Sequence, residues 1–317
     1  MSPPQQTTPV DPPASGDDAP EPHESYARGI TFILIASLCF TLMAAAAKAA
    51  AAEGMESPLV VLARSAFTGG AVAILMLAKG LPFRSNAPRA LHGRWLFGTI
   101  ALQLYFFALS RAPLGDTVVL ANTSPLFVPF LAILFLGERP KPLLFGTILV
   151  GFAGVVTLVG PIEAEWNKGL LAGVAIGVAG AGAGVCLRLA AGRDHWTTIV
   201  FVFSMWSFVT SLPALYWFDA NAVSAATPAL LLVGLFALGA QFFLTLGYAS
   251  TPASILSPMG YASVFVSYFI GAFYFNETPT THGLIGAAMI VTSCVFTSWK
   301  SSTLVTVRKA ESRRRPA

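Results

Sequence analysis

Two cations stand inside stretches that carry almost no other charge: Lys48, within the alanine-rich run 44–52, and Arg64, within 59–79. A lone charge at mid-bilayer costs about 2.5–3.5 kcal/mol on insertion scales, so such residues are rarely idle. One reading of Lys48 is a grip on a substrate carboxylate or phosphate. The other is a side chain that snorkels to the interface beside a negative helix C-terminus. Arg64 presents a planar fork that suits a carboxylate; its alternative role is to anchor one end of its segment, with Glu53 or Glu56 as partner for it or for Lys48. Gln103 and Gln241 place amides in apolar runs, where each must find a partner or face water. They read either as opposite walls of one polar cavity or as interhelical hydrogen bonds. Asn122 and Thr123 precede Pro125 and Pro129, and Ser257 precedes Pro258. Each proline removes a helical donor and frees a carbonyl. The expectation is therefore an interrupted helix with Asn122 and Thr123 on one wall and Ser257 on the other, against a plain proline kink. Tyr261 joins the candidate wall, as do the aromatics Phe40, Tyr105, Trp206 and Tyr248.

The chemistry these residues offer is recognition, not catalysis. Glu138 and Glu277 lie in polar turns and read as caps, Asp116 beside Arg111 reads as a loop ion pair, and Arg188 reads as a segment-end topology signal. The histidines, at 23, 92, 195 and 282, fall in a tail, in loops or at segment edges. No His-Glu-x-x-His, Gly-x-Ser-x-Gly or Gly-x-x-x-x-Gly-Lys-[Ser/Thr] pattern occurs, so neither a zinc hydrolase, a serine hydrolase nor a nucleotide-hydrolysing motor is indicated. Cys39, Cys186 and Cys294 stand far apart in apolar stretches and read as small buried hydrophobes. No metal and no cofactor is expected.

The segments that must hold these residues follow from composition. Of 317 residues, 55% are hydrophobic and only 11% charged, against about 25% charged in a soluble domain. That excludes a soluble globule, a disordered chain and a disulfide scaffold, and leaves a polytopic membrane protein. The net charge of +4 comes mostly from a basic C-terminal tail and is no nucleic-acid footprint. Ten apolar runs are long enough to cross about 30 Å of hydrocarbon: 30–51, 59–79, 93–112, 114–136, 143–160, 169–190, 196–218, 227–250, 253–275 and 283–300. With both termini on one side, 15 of the 19 lysines and arginines, Arg94 among them, fall on that side and two on the other, Arg111 and Lys168. This makes that side cytoplasmic. Trp166, Trp196, Trp217 and Trp299 read as interface anchors.

The two halves repeat. Pro113, Glu138 and Pro140 recur at an offset of 139 as Pro252, Glu277 and Pro279, and a glycine-rich run closes each half. Lys48 and Arg188 also correspond within one position, as do Gln103 and Gln241. Five spans per half is odd, so the second copy must be inverted in the membrane. Arg139 and Lys141 mark the first turn, and no Lys or Arg marks its counterpart, as inversion requires. The expected fold is all-α integral membrane, ten transmembrane helices as two inverted five-helix repeats, an architecture suited to alternating access.

The stretch Ser124-Pro125-Leu126-Phe127-Val128-Pro129 through Phe135-Leu136-Gly137-Glu138-Arg139-Pro140, with Tyr105-Phe106-Phe107-Ala108-Leu109 before Ala112-Pro113, resembles the EamA-type repeat of the drug/metabolite transporter (DMT) superfamily. The second copy departs from it, with Asn276-Glu277-Thr278 in place of Gly-Glu-Arg. An arginine placed like Arg64 is also similar to the family pattern. The resemblance implies ten helices, a central cavity and secondary transport of small metabolites. The expected organisation is a disordered tail at 1–27, repeats at 28–160 and 161–300, and a basic cytoplasmic tail at 301–317. The expected function is secondary active transport of a small polar metabolite, amino-acid-like or otherwise anionic or zwitterionic, across the inner membrane. An integral-membrane enzyme and a non-transporting scaffold are the alternatives. Expected partners are the substrate and the lipid bilayer, with no nucleic acid, in a monomer or homodimer.

Overall fold

The computed structural model describes residues 22–124, 126–127, 131, 142–159, 166–191, 193–250, 261–293 and 295–296. Ser257, Pro125, Pro129, Pro258, Glu138 and the terminal tails 1–21 and 301–317 lie outside the described residues. In chain order the helices are α1 (Pro22–Ala52), α2 (Ser57–Lys79), α3 (Pro88–Leu109), α4 (Leu114–Ala121), α5 (Pro142–Val159), α6 (Trp166–Ala191), α7 (Trp196–Ser211), α8 (Ala220–Ser250), α9 (Ala262–Tyr274) and α10 (Thr281–Ser293). A 3₁₀ turn, Leu212–Trp217, extends α7. No strand occurs among the described residues. Four helices there are long and apolar enough to cross a membrane: Ala27–Ala52, Ser57–Lys79, Trp196–Trp217 and Ala220–Ser250.

Several boundaries differ from the apolar runs. The first helix begins at Pro22, ahead of its apolar stretch, and α8 begins at Ala220 and carries Pro228 inside it. The helix α4 stops at Ala121, and Asn122 and Thr123 form a turn. Asn122 Nδ2 donates to the Val118 carbonyl at 2.8 Å, and the Thr123 hydroxyl donates to the Leu120 carbonyl at 2.7 Å. Such short side chains hold carbonyls that a continuing helix would use, which favours a stop at this place.

Two helices, α7 and α9, bury small polar residues, while the wider core is apolar with Met43, Leu59, Val60 and Leu109 buried. On α9, Phe265, Phe269 and Phe273 recur every four residues and are exposed, while Ser263, Ser267 and Gly271 are buried. On α7, Ser204, Ser207 and Ser211 form a buried stripe at helical spacing. On these two helices apolar side chains face outward and small polar ones inward, as hydrocarbon favours, because lipid solvates phenylalanine and not serine.

The helix neighbours exchange with the halves. The helix α1 packs on α8 and α3 on α6; α2 packs on α7, and α4 on α9. Contacts fix the directions. Gly69 faces Ser204, while Val72 and Met76 cluster with Val200, so α2 and α7 run antiparallel. Gly115 faces Tyr268 and Asn122 bonds Ser263, so α4 and α9 do too. For α5 and α10, Gly151 lies by Ser293 and Gly154 by Gly286 and Ile290.

The α5–α10 crossing is the closest. A Cβ on Gly286 would meet the Leu158 backbone nitrogen and, at 2.6 Å, the Gly154 carbonyl oxygen. Backbone cannot swing aside as a side chain can. Gly286→Ala is therefore expected to lower stability by about 1–3 kcal/mol, the usual cost of overpacking. Gly146→Ala, which meets nothing within 4 Å, should leave it unchanged or slightly raised. Thermal unfolding of the purified protein in detergent measures both.

Candidate functional site

Two charged centres lie inside the bundle. The first joins the halves where α1 ends and α4 begins. Lys48 Nζ meets Glu277 Oε1 at 2.8 Å and donates to the Ala112 carbonyl at 2.6 Å. The other Glu277 oxygen accepts from the Leu114 amide at 2.8 Å, at the first residue of α4. That carboxylate thus binds a lysine and caps a helix N-terminus with one group, both favourable for its negative charge. Its position is set by the backbone: Asn276 adopts φ 54, the left-handed region that asparagine tolerates better than most residues. The Glu277 amide then donates to Gly271 at 3.0 Å. Gly271 carries no Cβ where one would meet Glu277 Oε2 at 2.6 Å. Beside this pair, the Tyr268 hydroxyl donates to Asp116 Oδ1 at 2.8 Å.

These contacts correct three expectations. Lys48 pairs with Glu277 from the other half, and among the described residues neither Glu53 nor Glu56 makes an ion pair with Lys48 or Arg64. Glu277 is a partner as well as a cap. Asp116 bonds Tyr268 rather than Arg111, whose guanidinium lies 4.0 Å above the Phe107 ring.

The second centre is formed by α2, α3, α7 and α8. Arg64 is 0% exposed, and its Nε and both Nη atoms have no hydrogen-bond partner among the described residues. Arg94, on α3, is also buried; one Nη donates to Gln241 Oε1 on α8 at 3.2 Å, and its Nε is unpartnered there. Both guanidiniums face the Phe203 ring, with Cζ at 5.6 Å for Arg64 and 4.3 Å for Arg94. The ring's negative face offers each cation a weak electrostatic partner. Gly98 makes room, since a Cβ there would meet Arg94 and Phe203. Ser65, Thr68 and Ser204 add buried hydroxyls without partners among the described residues. At the offset of 139, Ser65 corresponds to Ser204 and Thr68 to Ser207, so matched polar stripes of α2 and α7 face inward.

The sequence-predicted residues thus fall in separate places. Arg64 and Gln241 belong to the arginine centre. Asn122 and Tyr261, exactly one repeat apart in number, meet at the α4–α9 crossing: the Tyr261 hydroxyl donates to the Asn122 carbonyl at 3.3 Å, and Asn122 Nδ2 donates to Ser263 Oγ at 3.2 Å. Thr123 is buried there against Gly177 of α6. Gln103 donates to Ser211 at 2.7 Å, one turn along from the Thr99–Ser207 hydrogen bond. Lys48 belongs to the ion-pair centre. Sequence reasoning missed Arg94, because it follows a basic loop and reads as a topology signal. Gly98 four residues on, which clears a place for its side chain, was the available sign. No cluster of three or more His, Cys, Asp or Glu able to hold a metal occurs among the described residues.

Comparison with known proteins bears on what this bundle does. The EamA-like transporter family matches residues 27–160 and 167–299. The pseudopaline exporter of Pseudomonas aeruginosa is 29% identical over 273 residues, covering 85% of this chain and 95% of its own. A riboflavin transporter of Vibrio cholerae is 26% identical, covering 86% and 94%. An S-adenosylmethionine uptake transporter of Rickettsia conorii is 25% identical, covering 65% and 69%. A solved crystal structure superposes with a TM-score of 0.59 at 25% identity, covering 87% of this chain and 97% of that one.

The Lys48–Glu277 contact can be tested by itself. Lys48→Ala and Glu277→Ala should each destabilise the protein by about 1–3 kcal/mol, because each strands a partly buried charge. The double variant should lose less than the two together, by a coupling of about 0.5–3 kcal/mol. Thermal unfolding of the four proteins measures the cycle; strict additivity would show that the ion pair contributes nothing.

Proposed function

The chain belongs to the EamA-like transporter family, and we propose that it works as a secondary transporter of a small polar metabolite by alternating access between two inverted five-helix repeats. It is a multi-pass membrane transporter and not an enzyme. The relatives are named for pseudopaline, riboflavin and S-adenosylmethionine, all small molecules, and that class is what carries over.

The observation that carries the reading is the antiparallel pairing of equivalent helices. A two-fold axis in the membrane plane makes equivalent helices antiparallel: α2 with α7, α4 with α9, and α5 with α10 meet head to tail, while α1 on α8 and α3 on α6 are the exchanged pairs that the same axis relates. Ten spans, 28–160 and 161–300 as the two repeats, and an inverted second copy are the simplest account of that pattern. The bias of lysine and arginine supports cytoplasmic termini in an inner membrane. Two like halves give two conformations of similar energy, one open to each side. In the present one, Lys48 and Glu277 tie the halves together at the end opposite the basic loops. We assign that contact to closure of the outer side.

The substrate wall we propose is the arginine centre with Arg64, Arg94 and Gln241, extended through Asn122, Thr123 and Tyr261 at the α4–α9 crossing, with Gln103 on the flank. Ser257, outside the described residues, is retained as a candidate on the second half. Lys48 contributes through the ion pair, not by holding cargo directly. Buried cations suit an anionic or zwitterionic solute.

Reconstituted protein should exchange at least one such solute in proteoliposomes without ATP. Flux by Lys48→Cys/Glu277→Cys protein, bridged through disulfides by a bis-methanethiosulfonate in a background without the native cysteines, should fall at least tenfold and return when the disulfides are reduced. Unchanged flux in the bridged protein would contradict closure at this contact.

A further inference from the structure

We propose that the arginine centre takes a substrate bearing two carboxylates, one on Arg64 and one on Arg94, laid across Phe203. This rests on the transport reading and names the cargo class for the same site. Arginine stays charged in proteins and cannot escape burial by losing its proton. Two guanidiniums are buried here on one ring, and the Lys48–Glu277 pair is the only ion pair between side chains among the described residues. Neither arginine is therefore neutralised by a carboxylate there. A single buried cation without a counter-charge is costly, and two beside one another add repulsion.

A monocarboxylate would answer one of them and leave the other. A zwitterion would bring an ammonium beside an uncompensated guanidinium, while Gln241 Oε1 is already engaged by Arg94. A dicarboxylate cancels both charges. It also meets the donors left over: Nε and both Nη atoms of Arg64, Nε of Arg94, and the hydroxyls of Ser65, Thr68 and Ser204. Guanidinium forks bind carboxylates in two parallel hydrogen bonds, a geometry that lysine cannot reproduce. Phe203, at the position equivalent to Arg64 in the other half, spaces the two forks and lends its faces to the carbon chain between the carboxylates.

The test uses the purified full chain in detergent. Binding is read by thermal shift with glutarate and citrate as di- and tricarboxylate probes, against glutarate monomethyl ester, glutamine and putrescine. The expected result is stabilisation by glutarate or citrate, with affinity at least tenfold above that of the monomethyl ester. That comparison uses the unmodified protein and does not depend on a variant that folds poorly. Arg64→Gln and Arg94→Gln should each weaken glutarate binding at least tenfold while the residual affinity for the monomethyl ester changes less. Stabilisation by glutamine or putrescine equal to that by glutarate, or none by either polycarboxylate, would overturn the proposal. Proteoliposome flux separates the two readings. Flux of a zwitterion without dicarboxylate binding overturns the cargo class alone. Dicarboxylate binding without flux of any solute supports the site and overturns transport.

Discussion

The bilayer core offers no water, and every polar group placed there must be answered from within the protein. That constraint organises the whole chain. On α9 it sets Phe265, Phe269 and Phe273 outward and Ser263 and Ser267 inward. It makes glycine and alanine the residues of helix contact, since without a hydrophobic drive between helices only close approach yields enough dispersion energy. It also makes the exceptions informative. Arg64 and Arg94 are buried cations for which the described residues supply one side-chain hydrogen bond and one shared aromatic ring. Gln103 with Ser211 and Thr99 with Ser207 show how the bundle answers polar groups in pairs, and these two cations are left short of such partners among the described residues. The proposal of an anionic occupant follows from that contrast.

On the proposed reading, the two charged centres divide the labour of a carrier. One sits among α2, α3, α7 and α8, where helices from both halves meet, and supplies unspent hydrogen-bond donors. The other pairs its charges and ties the halves through Lys48, Glu277 and the first amide of α4. A contact of that second kind suits a switch. Being only partly buried, it can be exchanged for water when the halves move apart.

Much of the fold was legible in the sequence because hydropathy alone marks where an apolar helix can lie. Helices with sharp apolar edges, such as α2, emerged close to their expected limits. Helix starts differed from the apolar runs where polar residues remained helical, as at Pro22 and Ala220, whereas the break after Ala121, with side-chain bonds from Asn122 to Val118 and from Thr123 to Leu120, lies where the prolines mark an interrupted helix. The site was legible in part. Arg64 and Gln241 stand out against apolar neighbours. Arg94 did not, because a cation near a helix start beside a basic loop has an ordinary explanation in topology. The Lys48–Glu277 pair spans more than 200 residues and depends on how the halves dock, which no local pattern encodes. Expecting Glu53 or Glu56 as the lysine's partner followed sequence nearness, whereas the bundle brings α1 to the turn after α9.

The central claim is that two halves lie head to tail in the membrane around one polar interior. Its most direct measurement is the sidedness of equivalent turns. Single cysteines would replace Glu53, between α1 and α2, and Arg193, between α6 and α7, in a chain whose native cysteines have been removed, and would be labelled with a membrane-impermeant maleimide in intact cells. The account predicts labelling of the Glu53→Cys protein from outside and of the Arg193→Cys protein only after the membrane is opened. Labelling of both from the same side would contradict it.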